Sequence, residues 1–160
     1  IEDRHHNADP AHFKKQLDLR KPDLMILMYG GNKLGFPKLG MDRYEVDFEK
    51  VVKLFRKARP EASCLIMSPL DHGEHYRNTL RTVPRLHDMM AVQRKVALRN
   101  GCAWYSAFDA MGGEGSMGRW ANSNPALGWK DYAHVTKYGA EVMGTLFYQS
   151  LMAGYVENLP

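Results

Sequence analysis

The chain has 160 residues, enough for one domain that buries roughly 70% of its unfolded surface, and its 44% hydrophobic and 25% charged residues exclude a disordered or collagen-like chain. Its 22 Lys and Arg against 18 Asp and Glu give a net charge of +4, dispersed without a run of five like charges; nucleic acid is therefore not an expected partner, although a basic face can attract an acidic polymer. Two cysteines make no disulfide framework or zinc ribbon, and the longest apolar stretch, Leu24 to Tyr29, is far short of the ~20 residues of a membrane span.

In chain order, His5-His6 reads as exposed, and Asp9-Pro10 starts a short helix from His12 to Leu19. Arg20-Lys21-Pro22-Asp23 is a turn, and Leu24-Met25-Ile26-Leu27-Met28-Tyr29 reads as a strand covered on both faces. Asp42 is expected to cap a helix running to Arg59, with Val46, Val51, Leu54, Phe55 and Ala58 inward, and Pro60 ends it. Ser63 to Met67 is a second strand, closed by Ser68-Pro69, and Leu70 to Thr82 reads as loop. Pro84 opens a helix with Leu86, Met89, Met90, Gln93, Val96 and Ala97 on its inner face. Asn100-Gly101 closes it, and Cys102 to Phe108 is a third strand. A glycine-rich loop from Asp109 to Thr136 precedes a last helix, from about Lys137 to Tyr155. The alternation argues one α/β domain with a parallel sheet, whose ligand sits at the carboxyl ends of the strands.

Two short patterns at those ends carry chemistry. In Asp131-Tyr132-Ala133-His134, an Asp three residues before a His can accept the imidazole Nδ1–H, leaving Nε2 as a general base; a helix-capping Asp beside a surface His has the same spacing. In Tyr29-Gly30-Gly31-Asn32, two glycines allow a close approach of ligand to backbone, and Asn32 can aim its amide at an oxyanion; a plain strand-to-loop turn has the same composition.

Together and in this order the two patterns resemble blocks of the SGNH (GDSL-like) hydrolase family: a strand followed by Gly-x-Asn, and Asp-x-x-His before the last helix. Lys21-Pro22-Asp23-Leu24, Ser68-Pro69, Ala110-Met111-Gly112-Gly113 and Trp120 resemble its bacterial carbohydrate-esterase branch, and the likeness runs from about Ala11 to Tyr155. It implies a flavodoxin-like three-layer α/β/α fold, here with strands three to five, and a serine esterase that removes acyl groups, such as acetyl, from a carbohydrate. His134 would be the base, Asp131 its orienting group and Asn32 an oxyanion donor, with Gly30 and Gly31 in support. No cofactor and no metal is implied, and a secreted or periplasmic location is.

Two departures matter. Lys33 stands where many relatives of this branch carry an acidic residue. The family's Gly-Asp-Ser nucleophile block is missing, as is any glycine before Gly30. The chain starts at Ile1 rather than Met, so the expectation is an N-terminally incomplete domain spanning residues 1–160, with the serine elsewhere. Leu24–Tyr29 would then be an edge, open to the N-terminal segment of the same domain or to self-association. The alternatives are a degenerate or non-catalytic carbohydrate-binding or assembly module, or an O-acetyltransferase using the same residues.

Other residues compete for roles. Glu114-Gly115-Ser116-Met117-Gly118 approaches a Gly-x-Ser-x-Gly elbow, making Ser116 a minor candidate nucleophile. Trp120 and Trp129 are candidate sugar platforms or core covers, and Asp71 a candidate substrate contact. His72 and His75 have the types of metal ligands, although solvated loop polarity accounts for them. Cys64 and Cys102 fall on neighbouring strands, where buried free thiols are expected rather than a bridge.

Overall fold

A computed structural model describes residues 9–36 and 38–157; His5 and His6 lie outside the described residues. The chain is α/β, with a parallel three-stranded sheet flanked by helices. It packs as two compact units, Ile1–Pro69 with His87–Tyr105, and Leu70–Leu86 with Ser106–Pro160.

The first unit holds helix α1 (Pro10–Arg20), strand β1 (Leu24–Met28), helix α2 (Met41–Ala58), strand β2 (Ser63–Met67), most of helix α3 (Arg85–Arg99) and strand β5 (Ala103–Tyr105). Asp9 starts α1 by accepting the Ala11 N–H at 3.0 Å, with Pro10 at the first helical position. Helix α2 begins after Gly40, with Asp42 in its first turn rather than at its cap. The sheet order is β1-β2-β5, with Met25 opposite Cys64 and Leu65 opposite Ala103. Right-handed crossovers that advance in one direction put α2 and α3 on the same face. Accordingly, Glu45 and Glu49 on α2 pair with Lys95 and Arg99 on α3.

Strand β1 alternates instead of being covered on both faces. Met25 and Leu27 are buried, whereas Leu24, Ile26 and Met28 are 36%, 44% and 47% exposed. Only the face carrying Met25 and Leu27 is closed; at its edge, among the described residues, β1 pairs with β2 alone. Val46 also departs from expectation, being exposed; Tyr44, Phe48, Val51 and Val52 form the inner stripe of α2.

Cys64 and Cys102 are disulfide-bonded, not free thiols. The strand register brings their Cα atoms to 4.6 Å, within bridging distance. Sequence spacing of 38 gave no access to that register.

The second unit holds hairpin strands β3 (Gly73–Tyr76) and β4 (Thr79–Thr82), short helices α4 (Ala107–Ala110) and α5 (Ser116–Ala121), and helix α6 (Lys137–Glu157). Both segments read as loop are therefore partly ordered into regular structure. The β-forming residues of 73–82 pair across a two-residue turn, Arg77-Asn78, with Tyr76 opposite Thr79. Met111, Met117 and Trp120 form the core of this unit, with Leu70, Leu127, Tyr132, Val135 and Met143 packed around it.

Candidate active site: an Asp–His turn and a Gly-Gly-Asn turn

The Asp131–His134 turn is built by its own backbone. Trp129 donates its N–H to the His134 carbonyl at 2.8 Å, and Gly128 bridges Val135. Tyr132 takes the left-handed conformation, φ 56°, so that the chain reverses between the two side chains. Thr136 caps α6, its Oγ1 accepting the Gly139 N–H at 3.2 Å and donating to the Ala126 carbonyl at 2.6 Å.

Inside this turn, His134 Nδ1 lies 2.8 Å from Asp131 Oδ2, while Oδ1 accepts the N–H groups of Ala133 at 3.0 Å and His134 at 3.1 Å. The Ala133 N–H foremost, then the His134 ring, hold the Asp131 carboxyl below the usual aspartate value. A carboxylate that stays ionised fixes the proton on Nδ1 and leaves Nε2 unprotonated as a base. Both side chains are solvent-accessible, His134 at 73% and Asp131 at 50%.

Gly30-Gly31-Asn32 lies in the first unit. Gly30 has φ 102°, and a Cβ there would meet Met89 Sδ at 2.6 Å, Tyr44 Oη at 2.7 Å and Gln93 Nε2 at 2.8 Å, so only glycine fits. Below it the buried Gln93 amide donates to the Tyr29 carbonyl at 2.8 Å and to Tyr44 Oη at 2.7 Å, pinning the strand end. Gly31, Asn32 and Lys33 then form a single 3-10 turn that presents an exposed Asn32. Sequence reasoning put Gln93 on the inner face of its helix but not in this role; a polar residue inside an otherwise apolar stripe was the available signal.

The remaining candidates separate. Asp71 is fully buried and cannot touch a substrate in this conformation. Its carboxylate accepts the Thr82 hydroxyl at 2.7 Å, the Met117 N–H at 2.9 Å and the Ser116 hydroxyl at 3.4 Å, tying the hairpin to α5. Ser116 also has no exposed surface, so the elbow reading gives way to a structural one. Trp120 is a core residue, whereas Trp129, 59% exposed and two residues before Asp131, remains available to a ligand. His72 Nδ1 is 3.0 Å from the Leu70 carbonyl and the His75 ring stacks edge-on against Tyr132. Among the described residues no group of three or more His, Cys, Asp or Glu is placed to hold a metal ion.

Neither a family model nor a curated protein matches the sequence. Solved structures do. A peptidoglycan O-acetylesterase superposes with a TM-score of 0.73 and 27% identity over 82% of this chain and 37% of its own. Axe2, an acetylxylan esterase from Geobacillus stearothermophilus, matches with TM-score 0.60 and 18% identity over 87% of this chain and 64% of its own. A GDSL-like lipase from Parabacteroides merdae matches with TM-score 0.58 and 15% identity over 85% and 66%. The chain thus spans between about a third and two thirds of the length of these proteins. Variants of Axe2 described as catalytic mutants replace a serine and an aspartate. With a parallel sheet, a Gly-Gly-Asn turn after its first strand here and an Asp–His turn before its last helix, this chain has the fold of the SGNH (GDSL-like) hydrolases and is similar to their acetylesterases.

Proposed function

We propose that this chain carries the base and an oxyanion donor of a serine esterase that removes acetyl groups from a carbohydrate. The observation that carries the reading is the 2.8 Å Asp131–His134 contact, with Asp131 held ionised by two backbone N–H groups. His134 Nε2 takes the proton of a serine hydroxyl as its oxygen attacks the acetyl carbonyl. The Asn32 amide donates to the oxyanion of the tetrahedral intermediate, with backbone N–H groups at Gly30 and Gly31 in support. Protonated His134 then gives its proton to the departing sugar oxygen. Water, activated by the same Nε2, hydrolyses the acetyl-serine. The serine is supplied by a segment outside these 160 residues, which contain no Gly-Asp-Ser.

The free side of β1 supports a place for that segment: an added strand would satisfy the N–H and C=O groups of that edge. In its absence the same edge favours self-association of the chain. Trp129 is the proposed platform for a sugar ring. The Cys64–Cys102 bridge supports residence in an oxidising compartment, such as the periplasm or the outside of the cell; no described helix is long and apolar enough to cross a membrane.

The test is acetate release from acetylated polysaccharide, and turnover of p-nitrophenyl acetate, by the full-length protein and its His134→Ala variant. Loss of both activities in a folded variant is expected. Undiminished turnover would sink the assignment, and polysaccharide binding without any acetate release would favour a non-catalytic module.

A further inference from the structure

Within the second unit the β3–β4 hairpin is fastened beside the Asp–His turn. Gly73 donates its N–H to the Tyr132 carbonyl at 2.7 Å, and a Cβ at Gly73 would meet Tyr132 Cβ at 2.9 Å. His75 stacks against the Tyr132 ring at 5.5 Å between centroids, and Leu80 packs where Gly118 leaves room on α5. Thr82 closes the base, donating to Asp71 and accepting the Gly115 N–H at 2.8 Å. Strand alternation then leaves Glu74, Tyr76 and Arg81 on the opposite, outer face.

That face is organised around cations. The Arg81 guanidinium lies 3.8 Å from the Tyr76 ring centroid and is held by two hydrogen bonds to Glu74 Oε1, at 2.8 and 2.6 Å. Arg77 lies 5.3 Å from the same ring, and among the described residues no carboxylate pairs with it. Arg77 also occupies the hairpin turn with φ 53°, where glycine or asparagine is the favoured residue. A side chain kept in such a conformation is an outlier from which a functional role can be argued. A guanidinium stacked on an aromatic ring keeps its in-plane N–H donors for a planar carboxylate.

The geometry points to this hairpin, through Arg77 over the Tyr76 ring, as a subsite for a carboxylate-bearing sugar of the polymeric substrate, with Arg81, already paired with Glu74, bracing the same ring. The inference rests on the esterase reading of the Asp–His turn, which it supplies with a substrate class: an acidic glycan rather than a neutral one. The net charge of +4 acts in the same sense, by drawing an anionic polymer toward the protein.

The probes are polygalacturonate and the same polymer with its carboxylates methyl-esterified, bound to the full-length protein in calorimetry without any ester turnover. The free acid is expected to bind about tenfold more tightly than the esterified polymer, and less tightly as salt rises. Arg77→Gly relieves the left-handed turn, so thermal stability is expected to hold or rise. Its affinity for polygalacturonate should nonetheless fall about tenfold. Equal binding of the two polymers, an unaffected Arg77→Gly variant, or equally tight binding of polyphosphate would each overturn the proposal. A wild-type protein that binds polygalacturonate but hydrolyses no ester would refute the esterase reading and leave the subsite standing.

Discussion

The Asp131 carboxylate accepts three hydrogen bonds from the four residues Asp131–His134, two from backbone and one from the imidazole. Every partner is local, which is why this half of the candidate site could be read from four consecutive letters. Replacing His134 with Ala in the full-length protein is expected to lower kcat by roughly four orders of magnitude or more. Asn32→Ala should cost roughly 10²–10³, the worth of one oxyanion donor. Steady-state kinetics on p-nitrophenyl acetate measure both, and an Asn32 variant with full kcat would remove that residue from the mechanism. Because folding lowers the Asp131 pKa, its ionised form favours the ordered turn above the usual aspartate value, and that contribution disappears as pH falls through the lowered value. A titration of the Asp131 carboxyl carbon by NMR should show a midpoint below that of an unstructured aspartate; one at or above it would contradict the hydrogen-bonded geometry. Asp71 was misread for the opposite reason. Its partners Thr82 and Met117 stand 11 and 46 residues away, beyond any local pattern.

At the level of elements, apolar runs and proline or glycine boundaries located β1, β2, α2, α3 and α6, because each depends on local sequence. The hairpin escaped because its strands are short, polar on one face, and defined by pairing with each other. Its junction with α5 depends on Asp71. Asp71→Ala would strand the Thr82 hydroxyl and the Met117 N–H in a buried setting, and is expected to cost about 3 kcal/mol. Urea denaturation followed by circular dichroism would register this, and a loss under 0.5 kcal/mol would make the carboxylate dispensable. Asp71→Asn, which keeps an acceptor, should lose less.

For the whole molecule, the open side of β1 and the bridge between β2 and the residue preceding β5 have opposite effects. The first invites association, and Ile26→Lys with Met28→Lys, by charging that exposed face, should shift the 160-residue chain toward monomer in sedimentation. The same oligomer size before and after would clear β1 of that role. The second closes 38 residues and by chain entropy stabilises the fold by about 4 kcal/mol. Thermal unfolding with and without reductant measures that difference, and an unchanged midpoint would contradict it.

The bridge has one more consequence, for protease cleavage. The peptide bond after Arg77 sits at the exposed tip of the hairpin, the kind of place trypsin cuts first. Cys64 lies before that bond and Cys102 after it. A single cut at the tip therefore yields a two-chain protein still joined covalently, running as one band on a non-reducing gel and as two after dithiothreitol.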